Sequence, residues 1–321
     1  MGDETMGGFE HHLAGAEHRA DIIALFRESY RRDFPDRAWT WRFVDAPAGS
    51  GIVALVSDGG RLASHYAATP VGFSVDGRDV PTALAGMTMT GPAYRGQGLF
   101  QQAAGTAYAE MRRRGVRFVW GFPNSQIHRQ RRRDLGWSTI AEVPMLRLRP
   151  GASWQPKRQP RPTQPARSIG PAFDALWQRV RGRHRLIARR DAGYLNWRYL
   201  LNPTTEYRVF TIGAGDAIDG YGVVKLHQGE LQIVDLLADD DATFVDLVAA
   251  MIRLAQAEDR PSVALWYNVH DARHLLLEGL GFVNDAPVTY LAGKPLGDDD
   301  AQPPWLDYRH WYLTMGDSDV F

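Results

Sequence analysis

The strongest chemical signal in the chain is the stretch Met87-Thr88-Met89-Thr90-Gly91-Pro92-Ala93-Tyr94-Arg95-Gly96-Gln97-Gly98-Leu99-Phe100. A β-type run passes into a glycine-containing turn. Helical periodicity then starts at once, with Leu99, Phe100, Ala103, Ala104, Ala107 and Met111 on one face. Gly96 and Gly98 let the backbone bend so that successive N–H groups point into one concavity, and the helix N-terminus adds partial positive charge. Such a turn cradles a diphosphate without needing a basic side chain. It is neither of the common nucleotide loops. No Gly-Lys-Ser/Thr follows the turn, and there is no G-x-G-x-x-G with an acidic residue about 20 positions on. The plainer reading is an ordinary strand-to-helix turn.

The elements around this loop read as mixed α/β. Ile22, Leu25, Phe26 and Tyr30 recur at helical spacing. Strands are predicted over Ile52–Val56, Ala63–Thr69, Val71–Val75 and Thr82–Thr90, with a tight hairpin at Asp76-Gly77. A short apolar strand, Val116–Gly121, precedes a polar helix around His128–Asp134. A last strand, Thr139–Leu148, closes the first half. The second half repeats the order: Trp41-Arg42-Phe43 returns as Trp197-Arg198-Tyr199, and Leu135-Gly136-Trp137 as Leu280-Gly281-Phe282. Between the halves, residues 150–171 hold six prolines in 22 positions and almost no periodic apolar residues, which reads as an extended connector. The expected organisation is two α/β domains, 1–149 and 172–321, joined by the Pro-rich linker 150–171. The second copy lacks the loop: Val234-Asp235-Leu236-Leu237-Ala238-Asp239-Asp240-Asp241 stands in its place. Carboxylates at a helix start cap it well but repel a diphosphate.

Arg95-Gly96-Gln97-Gly98-Leu99 resembles the acyl-CoA diphosphate loop of the GNAT (general N-acetyltransferase) superfamily, whose pattern is Q/R-x-x-G-x-G/A. The likeness continues through Gly121-Phe122-Pro123-Asn124 and Leu135-Gly136-Trp137. Trp39-Thr40-Trp41-Arg42, the second-half Tyr194-Leu195-Asn196-Trp197-Arg198-Tyr199 and the terminal Gly316-Asp317-Ser318-Asp319 extend it over most of the chain. They are similar to tandem-GNAT acyltransferases of bacterial surface-sugar biosynthesis, of the anthrose type. The resemblance implies two tandem GNAT-like domains, the second degenerate. It implies an enzyme that moves an acyl group from acetyl-CoA or another acyl-CoA to a primary amine, by direct attack and without a metal. The favoured acceptor is a nucleotide-linked amino sugar. It also implies that the backbone of Arg95, Gly96, Gln97, Gly98, Leu99 and Phe100 binds the diphosphate. Thr88, Met89 and Thr90 would pair with pantetheine and leave an N–H to polarise the thioester carbonyl. Asn124 would hydrogen-bond pantetheine or the acyl group.

The sequence departs from that pattern at several positions. Phe100 stands where Gly or Ala is usual, and either packs inward or narrows the groove. Where many members carry a tyrosine acid, this chain has Arg131-Arg132-Arg133, read as a solvated helix face. No Glu precedes the loop strand to serve as base. The candidate catalytic groups are therefore His65, His128 and Asp235. The tail carboxylates Asp317 and Asp319 either fold back over a cleft or fray. Two other readings stay open: a lipid-amine (sphingoid-type) N-acyltransferase using longer acyl-CoA, and a catalytically silent acyl-CoA-binding module.

Composition removes further classes. Lys+Arg and Asp+Glu are both 37, so the chain lacks the basic excess that nonspecific nucleic-acid binding requires. With no cysteine among 321 residues there are no disulfides, thiolate metal sites or cysteine nucleophiles. His11 and His12 are too few for a metal site. No apolar run approaches the roughly 20 residues of a membrane span. The start of the chain has no signal-peptide pattern, so a cytoplasmic location is expected.

Overall fold

The structure is a computed structural model and describes residues 4–6, 8–151, 153–214, 217–297 and 304–320. The chain divides into two compact units. The first holds Met1–Gly72, Val80–Thr139 and Ala292–Pro303; the second holds Phe73–Asp79, Ile140–Leu291 and Pro304–Phe321.

The elements of the first half are, in chain order, β1 (Glu4–Met6), β2 (Phe9–Leu13), α1 (Arg19–Tyr30), α2 (Asp36–Phe43), β3 (Ile52–Asp58), β4 (Arg61–Val75), β5 (Arg78–Thr90), α3 (Leu99–Arg113), β6 (Phe118–Gly121), α4 (Ser125–Leu135) and β7 (Ser138–Leu148). The two strands predicted on either side of Pro70 are one strand, β4. The β4–β5 hairpin turns at Asp76 (φ 47°) and Gly77 (φ 81°), the double left-handed geometry that favours Asp-Gly. In the first unit β1 to β6 are ordered in sequence, and β6 lies parallel to β5.

Two apolar layers sandwich this sheet, and the two-residue strand period builds both. Ile52, Ala54 and Val56 join Tyr66, Ala68 and the α3 face of Leu99, Phe100, Ala103 and Ala107. The alternate residues Val53 and Leu55 join Ala67, Met89 and the α1–α2 side chains Ile22, Phe26, Trp39 and Phe43. Burial on both faces explains the near-continuous apolar runs of β3 and β4.

The second unit adds β8 (Gln164–Ala166), α5 (Pro171–Val180), β9 (Leu186–Ala188), α6 (Ala192–Leu195), β10 (Arg208–Ala214), β11 (Ala217–His227), β12 (Glu230–Ala238), α7 (Asp241–Ala257), β13 (Val263–Leu265), α8 (His274–Leu280), β14 (Val283–Pro295) and β15 (Trp311–Tyr312). Its strands run β13-β12-β11-β10-β8. The Pro-rich connector is held along this unit. Its residues 164–166 are strand β8, paired with β10. Arg161 bonds Asp246 at 3.1 Å and Asp219 at 2.8 Å. β12 passes into α7 with no glycine turn, and the Asp240 carboxylate caps α7 by accepting from the Thr243 N–H at 2.6 Å.

Candidate active site

At the start of α3, Gly96 (φ 80°) and Gly98 (φ 76°) both adopt the left-handed region that side chains disfavour, and Gly98 is the helix N-cap. The first N–H groups of α3 are left without intrahelical acceptors, as at any helix start. They open onto a cavity of about 480 Å³. Thr88, Met89, Thr90, Arg95, Gly96 and Gly98 line it, with Leu99, Phe100 and Asn124. Among the predicted cofactor-binding residues only Gln97 is absent from its wall; its side chain turns back to the Ala93 carbonyl at 3.4 Å. Phe100 packs inward: its side chain is buried in the α3 core with its ring 6.2 Å from that of Tyr66. Asn124 is the N-cap of α4, its Oδ1 accepting from the Ile127 N–H at 3.0 Å. Arg95 and Arg133 add positive charge at the wall, although Arg133 is paired with Asp134 at 2.6 Å.

The floor of the cavity lies where β5 and β6 part. Their paired register runs from Thr82–Phe118 to Leu84–Trp120. Beyond it Met87 takes φ 52°, a left-handed conformation that costs a non-glycine residue about 1–2 kcal/mol. Three groups fix the backbone and side chain here. The His65 Nδ1–H donates to the Met87 carbonyl at 2.6 Å. The Tyr30 hydroxyl donates to the Thr88 carbonyl at 2.8 Å. The Arg131 Nη2 donates to Thr88 Oγ1 at 3.3 Å. Gly121 makes room for this arrangement: a Cβ there meets the Ala85 carbonyl at 2.8 Å and Arg131 Nη1 at 3.2 Å.

Residues 11–140 match a family model described as an acetyltransferase (GNAT) domain. Over these 130 of its 321 residues the chain is similar to that family. No curated protein matches the sequence. Among solved structures, a GCN5-related N-acetyltransferase from Anabaena variabilis aligns over 90% of this chain and 73% of its own, at 17% identity and a TM-score of 0.71. A tandem GNAT protein from the clavulanic acid biosynthesis pathway aligns over 91% of this chain and all of its own, at 14% identity and a TM-score of 0.59. Saccharomyces cerevisiae N-myristoyltransferase with bound myristoyl-CoA aligns over 90% of this chain and 83% of its own, at 12% identity and a TM-score of 0.59. Identities this low speak to fold, and the fold is mixed α/β of the tandem GNAT type.

The three candidate proton-handling residues do not line the cavity at the start of α3. His65 is fully buried on β4 behind Met87. A carbonyl only accepts, so Nδ1 carries the proton, and the buried Nε2 has no partner. Burial holds this imidazole at about 4, against the hydrogen bond it donates to the Met87 carbonyl, which pulls it up. His128, on the buried face of α4, bonds Thr139 Oγ1 at 2.9 Å through Nε2. Asp235 belongs to the second unit and is 1% exposed. It accepts from Arg190, Tyr199, Tyr221 and Thr314 at 3.0–3.1 Å and from the Leu236 N–H at 3.0 Å, which uses the lone pairs of both oxygens. Its neighbour in that network is Asp317. The tail at Asp317 neither frays nor lies open: it is buried and bonded to Arg190 at 2.8 Å. Among the described residues no cluster fit for a metal ion is present, and no helix is long and apolar enough to cross a membrane.

Two residues that hold Thr88 in place, Tyr30 and Arg131, were not predicted. Tyr30, at the end of α1, lines the cavity beside Thr88. Arg131 is not on a solvated face, unlike Arg132 and Arg133; it is 3% exposed, with its guanidinium 4.4 Å above the Trp137 ring. The signal was available in the spacing. His128, Arg131 and Leu135 fall at i, i+3 and i+7, the buried stripe of α4.

The His65 environment has a measurable consequence. Its folded value of about 4 lies below the ordinary 6.5, so the unfolded chain binds the extra proton between those pH values. The contribution, about 3 kcal/mol, is complete above pH 6.5 and is lost as pH falls to 4. His65→Asn keeps a donor for the Met87 carbonyl but cannot titrate. Urea midpoints taken from pH 7 to pH 4.5 should fall less steeply in this variant than in the wild type; parallel slopes would remove the assignment.

Proposed function

We propose that this protein transfers an acyl group from acyl-CoA to the primary amine of a nucleotide-linked amino sugar, by direct attack. The observation that carries the reading is the shared cavity of the Gly96–Gly98 turn, the α3 N-terminus and the Thr88–Thr90 strand end. Loop N–H groups and the helix terminus supply donors for a diphosphate, with Arg95 beside them. The strand end beyond the parting of β5 and β6 offers backbone groups to the pantetheine amides. In this reading residues 1–149 bind acyl-CoA, and residues 172–321 supply the acceptor side. The Asp239–Asp241 run at the start of α7 supports a single acyl-CoA site.

The amine lone pair attacks the thioester carbon, forming C–N. Collapse of the tetrahedral adduct breaks C–S, and the leaving thiolate takes the proton released by nitrogen. No covalent enzyme intermediate is needed, which fits a chain without cysteine. His65 is occupied by Met87, and His128 bonds Thr139. An amine that is partly neutral near pH 7 suits such a site, and amino-sugar amines have lowered pKa values. Acyl-CoA and nucleotide sugars meet in the cytoplasm, where we place the reaction.

The test is calorimetric titration of the full chain with acetyl-, 3-hydroxybutyryl- and palmitoyl-CoA, followed by an acceptor screen with dTDP-amino sugars. Binding of a short or hydroxylated acyl-CoA with turnover on an amino sugar is the expected result. A preference for palmitoyl-CoA would move the acceptor to a lipid amine. Binding without turnover on any amine would leave an acyl-CoA-binding module, and no binding would reduce the loop to a turn.

A further inference from the structure

We propose that the Thr88 hydroxyl donates a hydrogen bond to the thioester carbonyl oxygen, and that the buried Arg131 guanidinium behind it orients and polarises that hydroxyl. Thr88 is then a catalytic residue and Arg131 a positioning residue. The inference rests on the acyl-CoA reading above and adds to it a side-chain donor for the thioester carbonyl.

Hydrogen-bond direction carries the argument. A guanidinium has donors only, so Thr88 Oγ1 is the acceptor of the 3.3 Å bond from Arg131. The hydroxyl proton must therefore point elsewhere. Among the described residues no acceptor takes it, and Thr88 is a half-buried wall residue of the cavity. The donor end of the side chain is left for a ligand.

Arg131 is unusual for a buried arginine. It has no carboxylate partner among the described residues, and its Nε is buried without a hydrogen bond. Removing a guanidinium from water without pairing it is costly, and most buried charges are paired. Here the charge is instead directed through Nη2 at one hydroxyl. The Trp137 face holds its plane, and the bare Cα of Gly121 gives Nη1 its space. A cation on the acceptor side of an O–H makes that hydroxyl a stronger donor.

The backbone around Thr88 is fixed independently. His65 holds the carbonyl of left-handed Met87, and Tyr30 holds the carbonyl of Thr88 itself. Donors set in place before charge develops are what an oxyanion requires. As the amine attacks, the carbonyl π pair moves onto oxygen, where the Thr88 O–H donates to it. When C=O re-forms and C–S breaks, the proton stays on Thr88, so the residue is unchanged after turnover.

The experiment reads the carbonyl directly. The acyl-CoA that binds tightest of the three titrated above is labelled at its carbonyl carbon. Its infrared band is then recorded bound to the wild type, Thr88→Val, Thr88→Ser and Arg131→Met. In the wild type the band should lie below that of the free thioester in water. Thr88→Val is nearly isosteric, so it should bind within about threefold of wild type while its band returns towards the free position. Thr88→Ser should keep the wild-type band, and Arg131→Met should lie between. Turnover of Thr88→Val should fall about 100-fold or more, as on loss of one oxyanion donor. A wild-type band in bound Thr88→Val would overturn the proposal, and that variant decides the matter if Arg131→Met fails to fold. If the wild type binds none of the three, no bound band exists, and the acyl-CoA reading falls first.

Discussion

Gly98→Asp is expected to weaken acyl-CoA binding by about 100-fold or more while leaving the protein folded. Space is not the obstacle, because a Cβ at Gly98 meets nothing closer than Gln101 Oε1 at 3.9 Å and Gln102 Nε2 at 4.0 Å. The cost to folding is the left-handed φ of 76°, about 1 kcal/mol for a residue as tolerant of it as Asp. A carboxylate at the N-terminus of α3 repays part of this through the helix dipole. The cost to binding is larger. At about 4 Å and an effective dielectric of about 20, one unit charge repels another by about 4 kcal/mol, and screening leaves about 3 kcal/mol of that against a diphosphate. A loss of about 3 kcal/mol is a factor of about 100 in affinity. Calorimetric titration with acyl-CoA, together with a thermal scan, separates the two effects. Gly98→Ala, which adds strain without charge, should lose about tenfold or less. Equal losses in both variants would show that backbone shape, not charge, governs the loop.

The second large effect concerns stability in the second unit. Arg190→Met is expected to cost about 3–5 kcal/mol, because it leaves buried carboxylates without their cation. Arg190 is fully enclosed. It bonds Asp235 at 3.1 Å, Asp317 at 2.8 Å, Thr314 at 3.0 Å and the Ala188 carbonyl at 2.8 Å, and it lies 5.1 Å from the centre of the Tyr312 ring. A chain of this size should lose roughly 10 °C in Tm at pH 7. The pH dependence supplies the check. Burial pushes the Asp317 carboxyl up, and Arg190 pulls it back. With the arginine gone, only the Thr314 N–H still opposes the upward push. Protonation then relieves the buried charge, so the variant's deficit should shrink as pH falls from 7 towards 5. A deficit that is constant over this range would mean that lost packing, rather than uncompensated charge, explains the damage.

The fold and the loop were legible in the sequence for different reasons. The Gly96–Gly98 turn was readable because only glycine suits its left-handed backbone and because a helix stripe starts directly after it. The layered sheet was readable from apolar runs bounded by turn pairs such as Asp76-Gly77. The proton-handling residues were not, because the chemistry of a histidine depends on what surrounds it. His65 lies in a strand buried on both faces, where alternation gives no inward or outward choice. Arg131 sits in a run of three arginines whose charge hides the stripe it shares with His128 and Leu135. Asp235 was named as a candidate catalytic group, but it lies inside β12 as part of a buried hydrogen-bond network. Its partners Arg190 and Thr314 are 45 and 79 positions away in sequence, and no local spacing reveals them.

The strand laid against β6 comes from late in the chain. Ala292–Pro295, the last residues of β14, pair antiparallel with Phe118–Gly121, and they belong to the first unit although the second-unit segment Ile140–Leu291 precedes them. The loop-bearing half therefore cannot be released intact by a cut in the Pro-rich connector. A fragment ending at Arg149 would expose the backbone edge of β6, the apolar Phe-Val-Trp-Gly run, as a site for self-association. During synthesis the same edge waits unpaired until the far end of the chain emerges, which makes the closing of the first sheet a late, long-range event and favours slow folding.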